Sequence, residues 1–221
     1  MKPLRYLPLA ALWMLVGCSS QDKIWGQYFQ VVREGWRNST GNGQVTMDQA
    51  AKIPYASLSY RVNGSSEAML VLATDSNGDL LWTAASRVVL MTRNGRIMRS
   101  VGFPHDRAGM TSESVSAPLP PPGQATQRAF RSVRLADFPD ASLYGVRLTC
   151  VSTQRGAEMV TILGTQVATR RVDETCESRS PRWSFTDRYW VDAQSGFVWQ
   201  SLQHLHPAGS IVQVKILRPP E

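Results

Sequence analysis

A chain of 221 residues, 43% of them hydrophobic, is long enough to bury one substantial core. Its formal net charge of +7 comes from basic residues that are spread along the chain, with no run of five or more like charges. This pattern is typical of a solvated surface, and attraction to an acidic polysaccharide or to lipid phosphates is the alternative. It lacks the basic tail of many nucleic-acid-binding proteins, so we expect no nucleic-acid partner.

The first 17 residues have the organisation of a secretory signal. Lys2 and Arg5 form a short positive start, and the apolar stretch of residues 7–16 follows. That stretch is shorter than the roughly 20 residues that a membrane-spanning helix requires. Residues 1–17 are therefore predicted to be a cleaved signal peptide, which leaves residues 18–221 as the mature β-rich domain. Removal of two of the 24 basic residues leaves 22 against 17 acidic ones, a net charge of +5.

The end of this signal, Leu15-Val16-Gly17-Cys18, has the form of a lipoprotein cleavage box. The Cys18 thiol can carry a diacylglycerol and its freed amine a further acyl chain such as palmitate. Two or more chains make a stable anchor, because each buried methylene contributes about 0.8 kcal/mol. Ser19, in place of the Asp that retains bacterial lipoproteins in the inner membrane, favours the outer membrane. We therefore expect a lipid anchor at Cys18 on the periplasmic face of the outer membrane; the alternative is cleavage elsewhere.

Two cysteines, Cys150 and Cys176, remain once Cys18 is lipidated. The periplasm is oxidising, so an even remainder predicts a disulfide bond. Closing a loop of about 26 residues would contribute roughly 3 kcal/mol through the entropy of the unfolded chain. Two buried free thiols are the alternative.

Two helices are predicted before the first strand. Residues 19–36 have apolar side chains at helical spacing and form the predicted N-terminal helix. A second, short helix is predicted after Thr46, because Thr46-Met47-Asp48-Gln49 has the form of a capping box. Pro54 would stop that helix.

The rest of the chain is predicted to be mainly β, with antiparallel strands forming a curved sheet, a partial barrel or a sandwich. Asn-Gly pairs at 63–64, 77–78 and 94–95 predict tight turns between strands. A Pro-rich loop at about 104–128 could divide the domain into two lobes. The predicted strands are residues 55–62, 68–74, 80–83, 88–92, 97–101, 144–153, 157–163, 166–176, 183–191, 197–204 and 210–217.

Common catalytic and cofactor-binding motifs are absent from the sequence: there is no nucleophile elbow, phosphate-binding loop or dinucleotide fingerprint. His204 and His206 could supply two metal ligands, but a third is not evident, and metal sites normally need three or four. Glu174 lies on the predicted inner face of a strand, where it could be catalytic or paired with Arg170 or Arg182. We expect no enzymatic activity, no cofactor and no metal.

Tryptophan is abundant, with seven in the chain. Trp82, Trp183, Trp190 and Trp199 lie in or beside predicted strands, where their faces could stack on sugar rings or pack in the core. Nearby arginines could pair with acidic sugars. The predicted glycan-binding set is Trp82, Trp183, Trp190, Trp199, Arg93 and Arg96.

Seven segments, in their order and spacing, resemble the YjbF/GfcB family of group 4 capsule polysaccharide lipoproteins. They are residues 53–57, 78–82, 92–97, 101–104, 189–192, 195–201 and 216–220. The resemblance runs from the lipoprotein box to the C-terminus. It implies a lipoprotein involved in the production or export of capsule or exopolysaccharide, and it implies no enzymatic activity and no particular functional residues.

We therefore expect an outer-membrane lipoprotein that acts as a non-catalytic binding or assembly module. Its expected partners are the membrane, through the lipid anchor, and a polysaccharide or proteins of the export machinery. The alternatives are a protein adaptor for an export pore and a polysaccharide-modifying enzyme with an unrecognised site. An exposed aromatic groove would favour glycan binding, a flat apolar patch a protein partner, and a cleft with clustered carboxylates an enzyme.

Overall fold

The computed structural model describes residues 43–113, 121–122 and 129–220. These ranges contain one α-helix, α1 (Met47–Ala51), and a 3-10 turn at Pro139–Ala141. No helix among them is long and apolar enough to cross a membrane. The strands are β1 (Ser57–Val62), β2 (Ala68–Ser76), β3 (Asp79–Thr83), β4 (Val89–Arg93), β5 (Arg96–Val101), β6 (Gly109–Ser112), β7 (Phe130–Phe138), β8 (Leu143–Ile162), β9 (Thr165–Arg179), β10 (Arg182–Asp192), β11 (Val198–His204) and β12 (Ile211–Arg218).

The predicted capping box is confirmed at the start of α1. The backbone N–H of Gln49 donates to the Thr46 hydroxyl at 3.3 Å, and the Gln49 side chain accepts the Thr46 N–H at 2.8 Å. This satisfies two backbone donors that a helix start leaves without partners. The predicted signal peptide, Cys18 and the predicted helix over residues 19–36 lie outside the described residues.

All twelve strands belong to one nearly closed, barrel-like antiparallel sheet. Each strand pairs with the next one along the chain except β5 and β6, which form its two edges, and β12 pairs with β1. The prediction of a mainly β chain with a curved antiparallel sheet is confirmed. Because the strands alternate in direction, the turns that follow even-numbered strands lie at the same end of the sheet.

The three predicted Asn-Gly turns are confirmed. Asn63, Asn77 and Asn94 have φ of 49, 53 and 50°, and the glycine after each also has a positive φ. Asn and Gly reach this left-handed region at the lowest steric cost, which is why the pair directs a tight reversal.

Two predictions about the strands are wrong. β8 is one continuous strand where two were predicted, because a bulge between Gln154 and Ala157 accommodates the break in the pattern. β6 lies inside the predicted loop at about 104–128, and β7 follows it unpredicted. β7 places the charged Arg134 on its buried face, so the alternation that identifies a strand is lost.

Of the four clusters of buried side chains among the described residues, two are large. One is formed by β1–β5, β11 and β12 with their connecting loops, and the other by β5–β10. β5 contributes to both, because Ile97 packs in the first cluster and Met98 in the second. Strands before and after the Pro-rich loop thus share one sheet and both contribute to the first cluster.

Side chains connect the edge strand β5 to β11. Arg107 donates to the carbonyl oxygens of Ile97 at 2.9 Å and His204 at 2.6 Å. The Gln203 side chain accepts the Ile97 N–H at 2.9 Å and donates to the Gly95 carbonyl at 2.9 Å. These contacts satisfy backbone groups that a neighbouring strand would otherwise satisfy.

The Cys150–Cys176 disulfide is present. The two cysteines are directly opposite each other in the β8–β9 ladder, and both are completely buried. The bond therefore links the two strands of the longest hairpin covalently, inside the second core cluster.

Candidate functional site

A cleft of about 440 Å³ at one end of the sheet is the candidate binding site. It forms where the β2–β3, β4–β5 and β10–β11 turns converge with the end of β12 and one residue of the Pro-rich loop. The lining residues are Asp75, Gly78, Leu80, Trp82, Thr92, Asn94, Gly95, Pro121, Ser195, Gly196, Phe197, Val198, Ile216 and Pro220. The end of a barrel-like sheet is a common place for a small-molecule or glycan site, because loops can vary there without disturbing the ladder.

The floor of the cleft is mainly apolar. Trp82, Val198 and Ile216 are buried beneath it, while Phe197 is half-buried and borders the open space. The Phe197 ring meets the Trp199 ring edge-on, with the centroids 5.0 Å apart. This packing orients an aromatic surface towards the cleft.

The floor is closed at Gly95, where the backbone lies directly against the Val198 side chain. A Cβ added at Gly95 would lie 2.5 Å from Val198 Cβ, which is closer than real atoms come, and φ of Gly95 is +77°. Only glycine combines this backbone conformation with the missing side chain. The β4–β5 turn can therefore rest directly on β11.

Polar groups without intramolecular partners surround the cleft. Asp75 accepts the Gly78 N–H at 3.2 Å through Oδ1, which leaves its other oxygen without a hydrogen bond among the described residues. Asn94 is exposed, and its amide also has no hydrogen-bond partner there. The Ser195 hydroxyl is occupied, because it donates to Asp192 at 2.9 Å. Asp75 and Asn94 are thus the groups best placed to bind a ligand.

The charge of the cleft is negative. Asp75 is the single carboxylate, and no Lys, Arg or His occurs, among the described residues that line it. Arg93 lies nearby on β4 but forms a two-point ion pair with Asp79, at 2.6 and 2.5 Å. An anionic ligand would therefore meet no cationic side chain among the described lining residues.

Two residues of the predicted glycan-binding set require correction, because they are buried. Trp82 has no exposed surface, and its Nε1 donates to Thr92 Oγ1 at 2.9 Å. Arg96 is 2% exposed and pairs with Glu174. Neither side chain can stack on or bind a ligand at the surface in this conformation.

The other three tryptophans of that set lie in separate places. Trp183 packs among aromatic rings, with centroids 4.0 Å from Phe185. Trp190 donates to Glu158 at 2.6 Å on a different surface. Trp199 is half-buried beside Phe197, so among these three it is the one that lies next to the cleft. The sequence offered no signal for Asp75, Asn94 and Phe197, whose proximity depends on which turns share an end of the sheet.

An ionised network lies inside the barrel-like sheet. Glu174 is completely buried and accepts hydrogen bonds from Arg96 at 2.8 Å and Ser152 at 2.7 Å, and it forms a second ion pair with Arg134. Burial alone would raise the pKa of the Glu174 carboxyl, but the two guanidinium groups outweigh it and hold the pKa well below its usual range. The Tyr189 hydroxyl lies at the edge of this network.

The predicted partners of Glu174, Arg170 and Arg182, are wrong. The actual partners, Arg96 and Arg134, come from β5 and β7, and only the curvature of the sheet brings them to the inner face of β9. Glu174 is ionised, paired and inaccessible, so its geometry fits a structural role and offers a substrate no contact.

Three potential metal ligands, His105, Asp140 and His206, meet near the opposite end of the sheet. The rings of the two histidines stack, and each has a nitrogen 3.1 Å from an oxygen of Asp140. However, Ala208 donates its N–H to Nδ1 of His206 at 2.9 Å. Since a neutral imidazole has one lone-pair nitrogen, Nε2 carries the hydrogen and has no lone pair for a metal.

The predicted histidine pair is not brought together. His204 contacts Asp187, through both its backbone N–H at 2.8 Å and its ring nitrogen at 3.1 Å. β11 ends at His204, so His206 lies in the following loop. The cluster around Asp140 therefore combines a hydrogen bond between the half-exposed His105 and Asp140 with the buried His206, whose pKa is lowered by burial.

A single antiparallel sheet, nearly closed and carrying an open cleft with an apolar floor and a polar rim, defines the class of fold: a barrel-like β protein with a cleft at one end. The chain belongs to the family described as "Group 4 capsule polysaccharide lipoprotein gfcB, YjbF", whose match covers residues 28–217. The resemblance seen in the sequence is thus confirmed. Membership of a lipoprotein family implies attachment to a membrane.

Relatives from Escherichia coli (strain K12) extend over most of the chain. The "Uncharacterized lipoprotein YjbF" is 25% identical over 199 residues, 87% of each chain. The "Uncharacterized lipoprotein GfcB" is 26% identical over 223 residues, 99% of each chain. The crystal structure of the hypothetical lipoprotein YmcC superposes with a TM-score of 0.71 at 22% identity, covering 94% of this chain and all of that one, which shows a shared fold.

Proposed function

We propose that this lipoprotein holds a capsule or exopolysaccharide chain at the periplasmic face of the outer membrane, without altering it. The observation that carries the proposal is the cleft, in which Phe197 offers an apolar surface while one oxygen of Asp75 and the Asn94 amide offer polar groups, as the two sides of a sugar ring require. A sugar presents C–H groups on one side and hydroxyl groups around its rim, so it can stack and donate hydrogen bonds together. Family membership supplies the polysaccharide context.

The carboxylates favour binding over cleavage. Most glycosidases place two carboxyl groups on either side of the bond that they break. Among the described residues that line the cleft, Asp75 alone has a carboxyl group. Glu174, which is held by Arg96 and Arg134, is too deeply buried to serve as the second.

Sugar binding is tested with the full-length protein in detergent, by calorimetric titration with the polysaccharide that the host cell produces. Phe197→Ala removes the aromatic ring bordering the cleft and is expected to weaken binding about tenfold, the equivalent of one stacking contact. Phe130→Ala is the matched control, because Phe130 is 44% exposed and does not line the cleft. Equal affinities of the two variants would show that the sugar does not bind at Phe197 in the cleft.

The anchor and its location form a separate part of the proposal. Cys18→Ala is expected to abolish palmitate labelling and to leave an unprocessed or soluble form. Ser19→Asp is expected to move the protein to the inner membrane on a density gradient. Continued labelling of the first variant would contradict lipidation at Cys18, and an unchanged distribution of the second would contradict sorting through Ser19.

A protein adaptor for an export pore is the second candidate, and the β8–β9 hairpin favours it. Among the described residues, β7 pairs with β8 only as far as Ser152, and β10 pairs with β9 only from Thr169 onwards. Residues 159–168 beyond these points have no charged side chain, and Met159 is 59% exposed. Strand edges without charge can pair with a strand of another protein.

The two candidate functions predict different experimental results. A photo-crosslinker replacing Met159 is expected to capture an export protein if the adaptor function holds, while the glycan function predicts calorimetric binding to the polymer. Deletion of the gene and any close paralogue is expected to reduce surface polysaccharide under both. Normal polysaccharide output in that strain would argue against the polysaccharide role altogether.

A further inference from the structure

We infer that the cleft selects a neutral sugar unit over an acidic one, a conclusion that rests on the proposed glycan-holding function. The first reason is the negative charge of the cleft. Asp75 contributes a negative charge, and no described lining residue is basic. The carboxylate of a uronic acid or a pyruvylated sugar would therefore approach a like charge with no counter-charge beside it.

The nearest arginines do not change this balance. Arg93 is held by both carboxylate oxygens of Asp79, and Arg96 is buried against Glu174. Asp79 already balances the charge of Arg93 through a two-point ion pair, so an acidic sugar at Arg93 would compete with a carboxylate held in the strongest geometry that a guanidinium offers. The expectation that Arg93 and Arg96 serve acidic sugars is replaced by a cleft suited to uncharged ones.

The available hydrogen-bonding groups also match neutral sugars. The unpaired oxygen of Asp75 is an acceptor for a hydroxyl group, and the Asn94 amide can both donate and accept. Sugar hydroxyls have the same double capacity, whereas an ionised carboxylate can only accept. The C–H face of the ring can lie on Phe197, which provides apolar contact for a sugar without charge.

Long-range attraction of an acidic polymer to the positively charged protein has to be distinguished from selection in the cleft. The mature chain has a predicted net charge of +5, which attracts any acidic polymer at a distance. Such attraction is screened over about 8 Å at physiological ionic strength and over about 3 Å at 1 M salt. Selectivity that arises in the cleft persists in high salt, and attraction to the surface does not.

The test is a calorimetric titration of the full-length protein in detergent with two probes of equal length, a neutral hexose oligosaccharide and an oligogalacturonate. In high salt the neutral probe is expected to bind at least about tenfold more tightly, the difference expected from one charge-assisted hydrogen bond gained in place of a repulsion. Asp75→Asn preserves the acceptor for the Gly78 N–H, so the turn should keep its shape.

Asp75→Asn should weaken binding of the neutral probe and strengthen binding of the acidic one. Glu177→Gln is the matched control, because it removes the same charge from an exposed position on β9 that is not part of the cleft. Tighter binding of the oligogalacturonate in high salt would overturn the neutral-sugar inference while leaving the holding function intact. A ratio that Asp75→Asn leaves unchanged would do the same. Binding of neither probe nor of the host polysaccharide would overturn both.

Discussion

The polar cluster around Glu174 and the polar rim of the cleft differ in how completely their groups are paired. Inside the sheet, both oxygens of Glu174 accept hydrogen bonds, and two arginines balance its charge. At the cleft, one oxygen of Asp75 and the amide of Asn94 have no partner among the described residues.

Solvent explains the difference. A charge removed from water must be paired within the protein, because leaving it unpaired costs several kcal/mol. At the exposed rim, water satisfies Asp75 and Asn94 until a ligand replaces it. Balanced charges therefore mark the structural cluster, and groups left to water mark the candidate binding site.

Breaking the interior cluster should have the largest effect. Glu174→Gln removes the buried carboxylate that pairs with Arg96 and Arg134 and is expected to lower the free energy of unfolding by about 3–5 kcal/mol. Urea denaturation measures it. Glu177→Gln, an exposed change of the same kind on the same strand, should shift stability by no more than about 0.5 kcal/mol. Equal effects of the two variants would contradict the structural role of the buried pair.

Removal of the disulfide gives a second measure of how much the interior contributes to stability. Cys150 and Cys176 form the neighbouring buried pair in the ladder, two positions from Ser152 and Glu174. Cys150→Ser is expected to cost about 2–5 kcal/mol of stability. Peptide mapping without reductant should recover the two segments as one species. Two alkylatable thiols in protein taken from the periplasm would show that the bond does not form there.

Acid should affect the interior cluster selectively. The folded-state pKa of Glu174 is depressed, so its stabilising contribution is complete above the ordinary glutamate pKa of 4.5 and is lost as pH falls through the folded pKa. Between pH 4 and pH 3, this one group should lower the free energy of unfolding by up to about 1.4 kcal/mol. Glu174→Gln should lack that part of the acid dependence. Parallel stability–pH curves for wild type and variant would contradict the depressed pKa.

A change at the rim should have the smallest effect on folding. Asn94→Gly removes the amide from the cleft while glycine keeps the positive φ of the turn, so stability should change by only a few tenths of a kcal/mol. Affinity for a neutral oligosaccharide should fall by roughly 0.5–1.5 kcal/mol, the value of one hydrogen bond. Asn77→Gly makes the same change in the β2–β3 turn, but the Asn77 side chain does not line the cleft, so affinity should stay unchanged. The reverse order of the two affinities would place the ligand elsewhere.

Local patterns predicted most of the sheet. The Asn-Gly pairs fix three turns through their backbone preferences, and the capping box fixes the start of α1, because both depend on residues within four positions of one another. β7 escaped prediction because Arg134 occupies an inward position. Its inward charge becomes favourable only through Glu174, 40 positions away, which a local pattern cannot indicate.

The cleft was beyond local prediction for a related reason. Its lining comes from three turns, the Pro-rich loop and the C-terminal residues, and their meeting depends on the closure of the sheet. Aromatic composition suggested Trp82, but a large ring inside a strand is placed by the core, and the side chains that reach the rim lie in turns. Exposure of individual tryptophans requires knowledge of which face of the sheet is covered.

The pairing of β1 with β12 constrains when this protein can fold. Tyr60 lies opposite Val214, so the pairing that joins strands β1–β5 to strands β6–β12 links the beginning of the strand region to its end. A chain that emerges N-terminus first keeps one side of β1 without a neighbouring strand until nearly every residue has been released. This pairing is thus a late event, and the large sequence separation predicts slow folding. During that interval β1 is open to pairing with other chains, and a chaperone that binds extended segments would protect it.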